Sequence, residues 1–425
     1  MNTRVYDHSF NVLKSVLKDH LSFSIAVKNN SKGVSKDEFS AMSSLAGIFL
    51  RNYFAIKVIA EAVFNATQEE PVIYIGLVYV NNLFKKLVDE KDSLSYLVSK
   101  LNLYQVKFDD EIKANFKKAL EDKNGFLKET LNTKKMAKSP RTYLSCITNL
   151  PEWIIKMLHT QYGRDYGLDT VHSLFKMPRQ YAVLNKILGE VDDSELANFK
   201  EVEPTLFEYK SKTSIRKDQL VRESKLLPIQ KAEFDMIRDL PSLENSAVTF
   251  YFEEKNSIYV AFINKYLEGT NKVSLASNNP HLNPDLYSKI KPLKKDKLDI
   301  YESSETELIA HLSEKQDIFV LLPKNSNLEM LRRTPEYGII FDENTLDSII
   351  ENELNELMDV PQYVKDGGKL IYAVPTFDIK ETMLIVHKFL EKNKDFKLIK
   401  ENTYFPFEKD NSVFYYAVFE KKDNQ

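Results

Sequence analysis

Sulfur and glycine are both scarce in this chain, and each scarcity removes a class of chemistry. One residue of the 425 is a cysteine, Cys146. A lone thiol excludes an internal disulfide and every multi-cysteine zinc or iron–sulfur site, and it accords with a reducing compartment. Glycine occurs 11 times, where average usage over this length gives about 30. A function that needs a glycine-rich phosphate or nucleotide loop has few places to put one. No G-x-x-x-x-G-K-S/T is present, which excludes P-loop nucleotide hydrolysis. The seven histidines, at positions 8, 20, 159, 172, 281, 311 and 387, form no i, i+4 pair and no HExxH, so no metal site is expected. Long apolar runs are missing too. The longest, Pro71 to Asn81, falls short of the roughly 20 residues of a membrane helix, and no apolar leader follows Met1. The expectation is a cytoplasmic protein with no membrane partner.

What is present is ordinary for a folded chain: 43% apolar and 28% charged residues, enough for two or three domains with their own cores. The net charge of −3 is unevenly spread. Residues 1–145 carry 22 Lys+Arg against 16 Asp+Glu, whereas residues 236–425 carry 24 against 32. A polyanion would therefore meet the front of the chain first. The densest basic run holds Lys134, Lys135, Lys138 and Arg141 with no acid among them. It reads equally as a solvated linker and as a phosphate-contacting segment.

Apolar residues recur at helical spacing in Phe10, Leu13, Leu17 and Leu21, and again from Phe39 through Met42, Leu45, Ile48 and Phe49 to Tyr53. Asp109 opens a further helix, which Asn124-Gly125 is expected to interrupt. The first 130 or so residues thus predict an all-helical bundle. A short mixed region follows at 141–235, with helices over 151–161 and 168–175. From about residue 245, β-rich runs at 248–252, 273–277, 298–301, 318–323 and 369–375 alternate with helical segments, and two adjacent strands close the chain. This predicts a parallel, doubly wound sheet with an antiparallel hairpin at its end. Gly367-Gly368 reads as a tight turn before the fifth strand.

Three stretches resemble a known family. LAGIFLRNYFAIKVIAEAV (45–63) is similar to a helix pair of a NusB-type RNA-binding domain and carries Arg51. YLSCITNLPEWIIKMLHTQYG (143–163) is similar to the segment that follows that domain in bacterial 16S rRNA cytosine-C5 methyltransferases of the RsmB (Fmu/Sun) type. MLRRTPEYG (330–338) and VKDGGKLIYAVPTFDIKE (364–381) resemble that family's fourth and sixth motif regions. The resemblance implies a NusB-like RNA-binding domain (1–140), a connecting domain (141–235) and a Rossmann-like, class I methyltransferase-type α/β domain (236–425). It also implies ribosomal RNA or a small-subunit precursor as partner, S-adenosylmethionine as cofactor, and Arg332-Arg333 facing the RNA cleft. Nothing points to DNA specificity.

The family's chemistry is where this sequence departs. Cytosine C5 is a poor nucleophile, so these enzymes add a thiolate to C6, methylate C5 and eliminate the thiolate. The family's Tyr-Ser-Thr-Cys-Ser falls on Tyr372-Ala373-Val374-Pro375-Thr376, which puts Pro375 at the nucleophile. Its Asp-Ala-Pro-Cys-Ser-Gly falls on Leu322-Pro323-Lys324-Asn325-Ser326-Asn327, so Asn325 replaces the second cysteine and Leu322 the aspartate. The first β-rich run is followed by Glu253-Glu254-Lys255-Asn256-Ser257, with no glycine before Gly269, and the ribose-binding acid becomes Ser277. The expectation is therefore a degenerate member that needs no cofactor and has no catalytic residue. It would bind RNA through Arg51, Lys134, Lys135, Lys138, Arg141, Arg332 and Arg333. Two alternatives stay open: a divergent methyltransferase that uses S-adenosylmethionine, and a NusB-like protein-interaction module of the transcription or ribosome assembly machinery.

Overall fold

The computed structural model describes residues 3–133, 140–174, 176, 178–253, 256–267, 269–279, 298–301, 311–312, 314–410 and 412–423. Lys134, Lys135 and Lys138 lie outside them. Among the described residues no helix is long and apolar enough to cross a membrane. The chain divides into two compact units: Met1–Lys176 with Met330–Glu343, and Met177–Glu329 with Asn344–Gln425.

Among the described residues, the regular structure of the first unit is helical. Its centre is the helix Glu69–Val80, in which every residue from Pro71 to Val80 is buried. The longest apolar run of the sequence is thus a core helix, wrapped by Arg4–Leu17, Lys36–Leu50, Tyr53–Phe64 and Glu90–Asn102. Gly76 permits a close approach to the core: a Cβ there would stand 2.3 Å from the Phe49 ring and 2.7 Å from Ile56. Asp109 caps the helix Asp110–Glu121, as its position before the apolar series predicts. The break after that helix falls at Asp122 and not at Asn124-Gly125. Asp122 Oδ1 accepts the Gly125 N–H at 2.9 Å and so starts the next helix, Lys123–Leu131, with Gly125 inside its first turn. The excursion 330–343 belongs to this unit. Ile339 and Ile340 pack on the helical core, Phe341 stacks on Trp153 at 5.8 Å, and Glu336 Oε1 accepts the Phe23 N–H at 2.7 Å.

Among the described residues the second unit contains two sheets. The strands are β1 (Tyr181–Leu184), β2 (Phe199–Glu203), β3 (Leu206–Tyr209), β4 (Leu226–Ile229), β5 (Ala247–Phe252), β6 (Lys272–Ala276), β7 (Leu298–Tyr301), β8 (Gln316–Leu322), β9 (Val364–Val374), β10 (Phe396–Tyr404) and β11 (Phe414–Lys421). The small antiparallel sheet has the order β2-β3-β1-β4. The large one runs β10-β11-β9-β8-β5-β6-β7, with five parallel strands and β11 antiparallel to both of its neighbours. Side chains alternate between two cores, which is why the strands read as continuous apolar runs. Val248, Phe250, Phe252, Ile318 and Val320 face the helices Lys231–Asp239 and Ile258–Tyr266 and part of the small sheet. Tyr251, Phe319, Leu321, Tyr372 and Val374 face the helices Leu346–Asp359 and Met383–Lys392. Gly367-Gly368 does not precede the fifth parallel strand but lies within it. Pairing with β8 jumps from Gln316↔Val364 to Ile318↔Lys369, so the glycines form a bulge. Gly367 sits at φ +73, and a Cβ on Gly368 would stand 3.0 Å from the Gln316 carbonyl.

Candidate functional site

In parallel α/β sheets, binding residues gather beyond the carboxyl ends of the strands, and here the ends of β5, β8 and β9 hold the positions that the family resemblance singles out. β8 ends at the buried Leu322, and the chain turns through Pro323, the exposed Lys324 and the buried Asn325. The Asn325 amide is spent on its own loop: Nδ2 donates to the Pro323 carbonyl at 3.0 Å, and Oδ1 accepts the Asn327 N–H at 2.7 Å. β9 ends at Val374, followed by a half-buried Pro375. The two loops are neighbours, because the Glu329 N–H donates to the Pro375 carbonyl at 3.2 Å. They converge on one side chain, Glu381. Its carboxyl accepts the Ser326 N–H at 2.7 Å, the Ser326 hydroxyl at 2.6 Å and the Thr376 hydroxyl at 3.1 Å. The hydroxyl oxygens of Ser326 and Thr376 stand 3.2 Å apart, and Tyr372 Oη donates to the Glu381 carbonyl at 2.7 Å.

Ser326 and Thr376 are the residues that follow the two family cysteine positions. The hydroxyl clamp between the loops is in place, while neither loop carries a thiol. Proline offers no nucleophile, and an amide tied into its own turn offers none either. Burial pushes the Glu381 carboxyl up to about 7 against the hydrogen bonds it accepts. Glu353, on the helix Leu346–Asp359, is fully buried beside Glu381 and Tyr372. Burial raises its pKa well above the usual carboxylate range, and the charge of Glu381 raises it further. Sequence reasoning missed both acids. KET and NELNEL look like solvated helical segments, and only the packing shows that their glutamates point inward.

S-adenosylmethionine, the cofactor implied by the resemblance, needs close backbone approach after β5 and an acid after β6. Glu253 stands after β5. Its carboxylate takes the Tyr251 hydroxyl and the Asn278 N–H (3.2 Å), and its carbonyl takes the Asn279 amide (3.0 Å). Tyr251 is fully buried, and Ser277 Oγ is used by the Asn279 N–H at 3.1 Å. These side chains tie the ends of β5 and β6 to each other. The described residues at this edge therefore do not fit the cofactor.

The basic candidates are dispersed. Arg51 is exposed at the end of Lys36–Leu50, and Asn149 donates to the neighbouring Leu50 carbonyl at 2.8 Å. Arg141 opens the helix Pro140–Thr148, whose other end precedes Asn149, so that helix, about 12 Å long, separates the two arginines. Arg141 and Arg164 stand near His159, where burial first and these cations second lower the imidazole pKa. Arg332 is buried and gives Nη2 to the Lys176 carbonyl at 3.3 Å, so of the pair Arg332-Arg333 only Arg333 is exposed. Cys146 is buried in the helical unit, its Sγ 3.6 Å from the Phe54 carbonyl.

No protein-family model matches the chain, and no curated protein matches it. Among solved structures, PH0851 is 15% identical, covers 99% of each chain and superposes with a TM-score of 0.73. A methyltransferase homologue protein from Pyrococcus horikoshii is 13% identical over 67% of this chain and 100% of its own (TM-score 0.52). NSun6 from the same organism is 11% identical over 64% of this chain and 99% of its own (TM-score 0.55). At these identities the likeness establishes the fold, a methyltransferase-type α/β sheet joined to a helical part.

Proposed function

We propose that this chain binds ribosomal RNA or a small-subunit precursor in the cytoplasm and uses the methyltransferase-type fold as a scaffold without transferring a methyl group. The assignment keeps three parts, a NusB-like RNA-binding part (1–140), a connecting part (141–235) and a degenerate methyltransferase-like part (236–425). The observation that carries the reading is the pair of loops clamped by Glu381, which bear Pro375 and Asn325 where the chemistry requires two thiols. The mismatch of Glu253, Tyr251 and Ser277 with the cofactor supports it from the other side of the same strand ends. Affinity would come from phosphate contacts by Arg51, Lys134, Lys135, Lys138, Arg141 and Arg333, and such contacts release counterions.

Filter binding of the purified chain to structured 16S rRNA fragments tests this. The affinity is expected to fall about tenfold or more between about 50 mM and 200 mM salt, and incubation with labelled S-adenosylmethionine is expected to leave the RNA unlabelled. Salt-independent binding, no binding at micromolar protein, or a methyl group on cytosine would each overturn the reading.

A further inference from the structure

The helix Glu69–Val80 does not simply end. It passes into one turn of π-helix, Asn81–Lys85, a rare geometry that is enriched at functional sites. The turn is closed by the Lys86 N–H on the Asn81 carbonyl at 2.6 Å, with Lys86 in the left-handed region at φ +49, a conformation that costs a residue with a Cβ free energy. Asn81, fully buried, holds it there. Its Oδ1 accepts the N–H groups of Leu87 (2.9 Å) and Val88 (3.1 Å), while its Nδ2 donates to the Val88 carbonyl (2.9 Å) and lies 3.2 Å from Ser93 Oγ.

What this turn holds outward is unusual. Leu83 and Leu87 pack against the helical core, but Phe84 between them is 47% exposed. Among the described residues it meets no other ring. Lys85 and Lys86 beside it are exposed, and among the described residues neither is in an ion pair. An aromatic face fixed by a buried polar residue and flanked by unpaired ammonium groups is the combination that takes a base on the ring and phosphates on the cations. The region around it, residues 1–145, carries the chain's excess of positive charge.

We propose that Phe84, Lys85 and Lys86 form a stacking contact for an unpaired nucleotide of single-stranded or looped RNA. The proposal rests on the RNA-binding reading above and adds the class of RNA. In a duplex the bases are stacked on one another and closed to an aromatic side chain, so the contact selects unpaired bases.

The test uses the full chain and two labelled RNAs of the same sequence, one looped and one perfectly paired. Phe84→Ala is expected to lower affinity for the looped RNA by about five- to hundredfold, with the salt slope and the affinity for the duplex unchanged. Phe84→Tyr is expected to retain looped-RNA binding, since it keeps the ring. Lys85→Ala with Lys86→Ala is expected to reduce the magnitude of the salt slope by about 1.4, two single-strand phosphate contacts. If Phe84→Ala binds looped RNA within twofold of the parent chain, or weakens duplex binding equally, the stacking contact is wrong while RNA binding stands. If neither RNA binds the parent chain at micromolar protein, the RNA-binding reading itself falls.

Discussion

Asn81 in the helical unit and Glu381 in the α/β unit are each fully buried hubs of hydrogen bonds, and their difference is instructive. Asn81 is neutral, and its amide has a partner for each of its atoms in Leu87, Val88 and Ser93. It holds a turn outward. Glu381 is ionisable, lies beside a second buried acid, Glu353, and holds two loops inward. A neutral network fixes geometry at every pH. An acidic one fixes it best when protonated, because burial penalises the charged form.

The largest test of that contrast is Asn81→Ala. It strips the acceptor from two backbone N–H groups and the donor from the Val88 carbonyl, and each unsatisfied group costs about 1–3 kcal/mol. The helical unit is expected to lose about 3 kcal/mol or more in urea unfolding, with faster amide exchange at Leu87 and Val88. A loss below about 1 kcal/mol would mean that the turn does not depend on its hub.

Next in size is a pH effect confined to the other hub. The Glu381 carboxyl ionises near 4.5 when unfolded and near 7 when folded. Between those values the folded state holds a proton that the unfolded state has released, so stability falls as pH rises, by about 1.4 kcal/mol per pH unit. Glu381 alone is expected to take about 3 kcal/mol from the stability of the α/β unit between pH 4.5 and 7, after which its contribution levels off. Glu381→Gln is expected to remove that share of the slope. An unchanged slope in the variant would show that the clamp is not the titrating element.

The smallest effect concerns Glu353, a buried acid whose charged form is penalised by burial and by the neighbouring Glu381. Replacing a buried ionisable group by an apolar one of similar shape relieves its desolvation penalty. Glu353→Met is expected to stabilise the α/β unit by about 1–2 kcal/mol at neutral pH, read as a higher thermal midpoint. Destabilisation would show that the contacts of Glu353 with Glu381 and Tyr372 outweigh that penalty.

Much of the fold was legible because period and burial agree. The runs at 248–252 and 298–301 became β5 and β7 with boundaries shifted by one residue at most; β5, buried on both faces, is apolar but for Thr249, whereas β7 is an edge strand with Asp299 exposed. The small sheet β2-β3-β1-β4 was not legible. Its strands have four or five residues, and the middle of β2 is exposed, so Val202 sits in a polar context without alternation. Of the site, the residue types at positions 322, 325 and 375 could be read directly from the sequence. The clamp could not, because Ser326, Thr376 and Glu381 are polar residues in polar stretches.

By itself, the sequence determined composition-level chemistry and periodicity: one thiol, few glycines, a helical front, an alternating β/α back and a basic excess in the first 145 residues. These follow from local residue identity, which tertiary contacts do not alter. The tertiary structure alone decided which polar side chains are buried. Arg332 turns in while Arg333 turns out, Glu353 and Glu381 lie within the α/β unit, and Phe84 is kept in water while Leu83 and Leu87 on either side pack inward. Burial is a property of what surrounds a residue, and those surroundings come from segments distant in the chain.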